Sequence, residues 1–163
     1  MIDSPNAMVV KSMGKALGWH GIRLGYAVAN RRMAAELRAR TPYWNVNGLA
    51  SFVLKHLDRH LDRDLDSLVK TARDRDYMSR ALGTVGGLKT YPSKANFLYC
   101  ELAPGVSGRR LRDCLLERHG LIIRECSNKA GSSERFLRLA VHPRPATDRL
   151  VDALRRTLAG AMR

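Results

Sequence analysis

Apolar and polar positions follow two rhythms along this chain. Residues 6–12, NAMVVKS, are a short β-branched and apolar run, the pattern of a buried strand. A glycine-rich loop follows, and IRLGYAVA reads as a second strand. Asn30 then stands as an N-cap for RRMAAELRAR, a helix broken at Thr41-Pro42. From Gly48 to about Leu82 the period lengthens. Leu57, Leu61, Leu65 and Leu68 recur at spacings of four, four and three, which places them on one helix face. Aspartates and arginines between them sit three or four apart, close enough to pair. Such a length suits a helix linking two lobes, with Gly83, Gly86 and Gly87 ending it.

The remainder alternates between the two periods. LKTYP and ANFLYCEL read as strands, SGRRLRDCLLERHG as a helix capped by Ser107 and stopped by Gly120. LIIRE and RFLRLAV are further strands, and ATDRLVDALRRTLAGAM is a closing amphipathic helix. This order predicts a small α/β sandwich with helices on one face of a sheet. The expected division is residues 1–47, a long helix over 48–82, and a C-terminal α/β domain over 83–163.

Composition narrows the function less than the pattern does. The 163 residues are 45% hydrophobic, the proportion of a globular protein. No run of eighteen apolar residues exists to span a membrane, and the first ten residues lack the charged and apolar blocks of a secretory signal. Cys100, Cys114 and Cys126 are widely spaced and form no C-x-x-C pair, so the expected setting is a reducing cytoplasm. The formal charge is +14, with 22 arginines against seven lysines. The bases do not cluster and often neighbour aspartates, as in DRHLDRDLDS, so nucleic-acid binding is not the expected main role.

One stretch carries more chemistry than a surface loop needs. SMGKALGWHGIRLGY sets Ser12 three residues before Lys15 and Arg23 eight after it, among Gly14, Gly18, Gly21 and Gly25. A lysine shielded from water has a lowered pKa and becomes a nucleophile toward aldehydes. A serine hydroxyl and a guanidinium hold phosphate oxygens. Together they fit a phosphorylated aldehyde, of which pyridoxal phosphate is the common cofactor. By spacing alone a surface lysine beside a flexible loop fits equally well. The S-x-x-K of serine β-lactamases is a further reading, but its S-D-N and K-T-G companions are absent.

SMGKALGWHGIRLGYAVAN resembles the cofactor-lysine segment of fold-type-I aminotransferases. The resemblance implies that Lys15 forms the Schiff base with pyridoxal 5'-phosphate and moves the proton, while Ser12 and Arg23 bind the cofactor phosphate. ERFLRLAVHPRPATDRLVDAL resembles the ending of the same family, which makes Arg138 the clamp for the substrate α-carboxylate. Without that likeness, a strand arginine pairing with Glu134 is the simpler reading. LIIRECSNKAG and TPYWNVNGLA are most similar to histidinol-phosphate aminotransferases and threonine-phosphate decarboxylases, the CSN leaning toward the latter. Arg124 would then help bind a distal phosphate on the substrate.

The fold so implied is the α/β, aspartate aminotransferase-like fold of pyridoxal-phosphate enzymes, truncated. It would comprise the end of the large domain, a long connecting helix and a small C-terminal α/β domain. The implied activity is amino-group transfer between an amino acid and a 2-oxo acid, in a cytoplasmic homodimer. Decarboxylation of a phosphorylated amino acid is the alternative on the same scaffold. A non-catalytic dimerising or basic binding fragment is the alternative of another class. The pattern departs from the family at its start. The phosphate turn, stacking aromatic and ring-nitrogen aspartate are missing, and Asp3 lies too close to Lys15 to be that aspartate. The chain is therefore expected to be a C-terminal fragment, with exposed strand edges and an apolar face, that does not run the whole reaction alone. No metal is expected: His56, His60 and Asp64 share a helix face, but a solvated face explains them better. Trp19, His20, Trp44, Asn45 and Asn47 flank these motifs without an assigned role.

Overall fold

The computed structural model describes residues 2, 4–16, 20–57 and 61–161, without the side chains of residues 15, 16, 61–64 and 161. The chain divides into two compact units, Met1–Leu68 and Val69–Arg163.

The first unit opens with an antiparallel pair, β1 (Met8–Ser12) and β2 (Gly25–Ala29), in register from Met8 opposite Ala29 to Ser12 opposite Gly25. Between them lie the short helix α1 (Met13–Ala16) and a 3-10 turn at His20–Ile22. Asn30 caps α2 (Arg31–Arg40), its side-chain oxygen accepting from the Met33 amide at 2.9 Å. Asn47 does the same for α3 (Gly48–His56) through the Ala50 amide, also at 2.9 Å. The buried cluster here is only Ile22, Leu24, Ala50 and Val53, with Met13 against it. Each large apolar side chain so buried contributes roughly 1.5–3 kcal/mol, little against the ordering entropy of a unit this long. Contrary to the expectation of a buried first strand, all five residues of β1 are exposed, Val10 to 71%. Two strands alone cannot cover their own faces, and the apolar residues of β1 find no layer within the unit.

Helix α4 (Leu61–Leu82) crosses from the first unit into the second. Leu65 and Leu68, members of the leucine stripe, are more than half exposed. The second unit then runs β3 (Leu88–Thr90), β4 (Phe97–Leu102), α5 (Gly108–His119), β5 (Arg124–Glu125), β6 (Phe136–Ala140) and α6 (Arg144–Ala161). The element order matches the sequence reading, although β5 is two residues long because Ile122 stands free of the sheet, 85% exposed. The sheet order is β3-β4-β6-β5, every neighbouring pair antiparallel. Ser107 caps α5, and Gly120 ends it at φ +63°, the left-handed conformation a side chain resists.

Burial along β4 and β6 alternates with the period of two expected of a sheet with one covered face. Leu98, Cys100, Leu102, Leu137 and Leu139 point into a core completed by Met78 and Leu82 of α4, Leu111 and Leu115 of α5, and Leu150, Leu154 and Leu158 of α6. The alternation leaves Phe97, Tyr99, Glu101, Phe136 and Arg138 on the opposite face.

Candidate active site

In the first unit, hydrogen bonding gathers the glycine-rich motif into a recess. The Met13 amide donates to the Leu24 carbonyl at 2.9 Å, which draws the end of β1 to the start of β2. Ser12 consequently sits directly opposite Gly25. A Cβ at position 25 would lie 2.8 Å from the Lys11 carbonyl oxygen, so only glycine permits this approach. Ser12, Gly14, His20 and Arg23 line one hollow of about 290 Å³, along with Gly25. Among the described residues no carboxylate lines it. Arg23 adopts φ +57°, a conformation costing roughly 1–3 kcal/mol in a residue with a side chain and concentrated at ligand clamps. Asn47, left without a role in the sequence analysis, fixes this turn: its Nδ2 donates to the Ile22 carbonyl at 3.0 Å while its oxygen caps α3. Lys15 falls within α1, and its side chain lies outside the described residues.

In the second unit the register of a different strand pair assembles a second group. Arg124 of β5 stands directly opposite Arg138 of β6, which in turn stands opposite Tyr99 of β4. Directly opposed residues share a face, so the two guanidinium-bearing side chains rise together from the open side of the sheet. Both line a cavity of about 530 Å³ with Arg112, Glu125 and Asn128. Like charges directly opposed destabilise a sheet. Arg138 makes no ion pair among the described residues. Its guanidinium carbon lies 5.1 Å from the centroid of the Phe97 ring, a cation–π contact that orients it. Glu134, the local acid that could have neutralised it, instead accepts from the Ser107 hydroxyl at 2.8 Å.

Among the described residues the acidic group lining this cavity is Glu125. Glu125, 6% exposed, accepts from the Ser127 amide and, at 2.9 Å, from the Ser127 hydroxyl, and lies 4.0 Å from the Arg109 Nε. It shapes the turn after β5, and among the described residues neither Arg124 nor Arg138 forms an ion pair with it. Cys126 reports the same field. Burial raises its thiol pKa, while the positive charges of Arg124 and Arg138 oppose the shift. Arg112 and Asn128 were missed in the sequence. Their spacing from Arg138 carries no periodic signal, and only the sheet register brings them to one cavity.

Other flanking residues sort by exposure. Tyr43 and Trp44 are almost fully exposed, Trp44 at φ +57°. His56 stacks on Phe52 with ring centroids 4.4 Å apart, its Nδ1 2.8 Å from the Phe52 carbonyl oxygen. His60, Trp19 and Asp3 lie outside the described residues, as does the side chain of Asp64. Among the described residues no group of three or more His, Cys, Asp or Glu could hold a metal ion.

Comparison with known proteins finds relatives along nearly the whole chain. The family "Aminotransferase class I and II" matches residues 1–154. The chain is 32% identical over 154 residues to a histidinol-phosphate aminotransferase from Roseiflexus castenholzii, covering 93% of this chain and 40% of that protein. The L-threonine-O-3-phosphate decarboxylase structure from Porphyromonas gingivalis superposes with a TM-score of 0.80 at 27% identity, covering 96% of this chain and 48% of that one. A histidinol-phosphate aminotransferase from Sinorhizobium meliloti, solved in complex with pyridoxal-5'-phosphate, gives 0.75 at 25% identity over 98% of this chain and 43% of its own. The chain spans between 25% and 42% of the length of the curated relatives it matches.

Proposed function

The chain belongs to the class I and II aminotransferase family, whose cofactor is pyridoxal 5'-phosphate, and from that premise we propose that it carries the lysine, the phosphate anchors and the substrate clamp of an enzyme acting on phosphorylated amino acids. The reaction is amino-group transfer between such an amino acid and a 2-oxo acid. The observation that carries the reading is the opposition of Arg124 and Arg138 on one sheet face. Two guanidinium groups side by side, neither of them ion-paired among the described residues, match a substrate with two anionic ends. Arg138, steadied by Phe97, takes the α-carboxylate in a bidentate pair. Arg124 takes the distal phosphate.

The first unit fits the cofactor's phosphate. Its hollow offers a hydroxyl at Ser12, a guanidinium at Arg23 and open backbone at Gly14, and no acid among the described residues lines it. Bound there, pyridoxal phosphate supplies an aldehyde for amine capture and a ring that accepts electrons from the substrate α-carbon. Lys15 offers the amine and carries the proton removed at that carbon. Ser12 and Arg23 hold the phosphate so that this amine and the aldehyde keep a fixed separation. The working form is a cytoplasmic homodimer; among the described residues no helix is long and apolar enough to cross a membrane.

Decarboxylation of the same substrate class is the second reading, favoured by the superposition on a threonine-phosphate decarboxylase. It differs in which bond at the α-carbon is held along the direction of cleavage. The test is direct. Purified chain mixed with pyridoxal phosphate should develop a visible absorbance band that Lys15→Ala removes and Arg23→Gln weakens. A full-length protein carrying these residues should consume a phosphorylated amino acid only with a 2-oxo acid present, whereas carbon dioxide release without one would assign the decarboxylase. A band that survives Lys15→Ala, or no preference for phosphorylated over plain amino acids, overturns the proposal.

A further inference from the structure

A further concave site lies in the second unit, between α5 and α6. The two helices run antiparallel: Arg149 of α6 donates to the carbonyl of His119 at the end of α5 at 2.6 Å, while Gly160 meets the Ser107 turn at the start of α5. Their groove encloses about 420 Å³ and is lined by Arg110, Arg118 and Arg156. Among the described residues no carboxylate lines it. The guanidinium groups of these three arginines have no ion pair or hydrogen bond among the described residues, whereas Arg109, Arg112, Arg135, Arg149 and Arg155 all have partners. Glu134 accepts from the hydroxyl of Ser107, the residue that caps α5, at 2.8 Å. The floor is apolar, built from the buried Leu111 and Leu158.

We infer that this groove binds a small organic polyphosphate of the nucleoside diphosphate kind. Three guanidinium groups present paired N–H donors in the fork geometry that suits phosphate oxygens. Their convergence without counter-charge is a local repulsion that an anion relieves. The volume is that of a small-molecule site, above the roughly 300 Å³ from which such sites begin. The apolar floor takes the organic body, and arginine planes stack on an aromatic base. A bare phosphate would use the rim and leave Leu111 and Leu158 uncovered.

Cys114 makes the site testable. It lines the groove and is half-exposed, whereas Cys100 and Cys126 are buried. Maleimide therefore labels Cys114 first, and ADP should slow that labelling saturably with one site per chain. Titration calorimetry should show ADP binding that weakens with salt and falls at least tenfold in each of Arg110→Gln, Arg118→Gln and Arg156→Gln. Arg155→Gln removes an equal charge next door, from a residue tied to Asp152 and Thr84, and should leave binding unchanged. Pyrophosphate should bind at least fivefold more weakly than ADP, and adenosine not at all. Equal loss in Arg155→Gln and Arg156→Gln would mean diffuse attraction and overturn the inference. So would loss in Arg138→Gln alone, which would place the ligand in the substrate cavity, or labelling of Cys114 that ADP does not touch.

Discussion

Replacing Arg124 by glutamine should make the chain slightly more stable and a poorer binder. The structure sets both magnitudes. Arg124 and Arg138 are directly opposed across an antiparallel pair, where Cβ atoms stand about 5 Å apart. With guanidinium groups about 7 Å apart in water, Coulomb repulsion is about 0.6 kcal/mol. Arg124 makes no side-chain bond among the described residues whose loss would offset that gain. For a unit near 100 residues, such a gain corresponds to a melting temperature raised by roughly 2–5 °C. The cost falls on recognition. A charge-assisted bond to a phosphate contributes roughly 1.5–3 kcal/mol, so O-phospho-L-threonine should bind about 10- to 150-fold more weakly, while plain L-threonine is unaffected. Circular dichroism melts and calorimetric titration of the two ligands read the pair of effects. A melting temperature that falls by several degrees would refute the reasoning, because Arg124 would then be part of the framework. Equal weakening for the two ligands would refute it too, because Arg124 would then see the carboxylate.

Three further outcomes follow from the geometry. Gly25→Ala should cost the first unit on the order of 1–3 kcal/mol as the new Cβ meets the Lys11 carbonyl, and pyridoxal phosphate absorbance should fall with it even though no charge has changed. Asn47→Ala removes a helix cap and the donor to the Ile22 carbonyl, so denaturant unfolding should register a loss of roughly 1–2 kcal/mol, and the affinity for the cofactor phosphate should drop as the Arg23 turn loosens. Burial pushes the Cys100 thiol up from 9.0 to about 11; the unfolded thiol then loses its proton first, so stability should decline as pH rises from about 9 to about 11, by roughly 3 kcal/mol at most, and a Cys100→Ala variant should lack that decline.

What the sequence showed and what it hid divide along one line. Caps and periods are local, so Asn30, Ser107 and Gly120 stood out as helix boundaries and act as such here. The alternation in ANFLYCEL and RFLRLAV likewise revealed which side chains are buried. Strand partners are not local. Nothing in LIIRE says that Arg124 lies beside Arg138, because that depends on how β5 aligns with β6. The buried expectation for β1 failed for a related reason: an apolar run states a preference for cover, and nothing local to the run says which element, if any, supplies it. Asn47 escaped because an asparagine before a helix has a cap as its ordinary explanation, and its second bond reaches back 25 residues.

Both anion groups are built by the same device. In each, an antiparallel pair sets residues of the proposed site abreast: Ser12 beside Gly25, which with Arg23 line one hollow, and Arg124 beside Arg138. In each, the arrangement is locally unfavourable, through an arginine at φ +57° in one and two opposed cations in the other. Such penalties persist where the surroundings over-determine the geometry. Here the determinants are identifiable, namely the Met13–Leu24 bond and Asn47 in the first unit and the full β4-β6-β5 ladder in the second. They differ in strength. The arginine pair rests on a sheet backed by seventeen described core residues, and the Ser12 hollow on a cluster of four. The carboxylate and phosphate clamp should therefore survive in the isolated chain under mild denaturant after the cofactor hollow has opened. Calorimetric titration in rising urea should lose pyridoxal phosphate binding at a lower concentration than binding of O-phospho-L-threonine. Simultaneous loss would show that the clamp does not outlast the first unit.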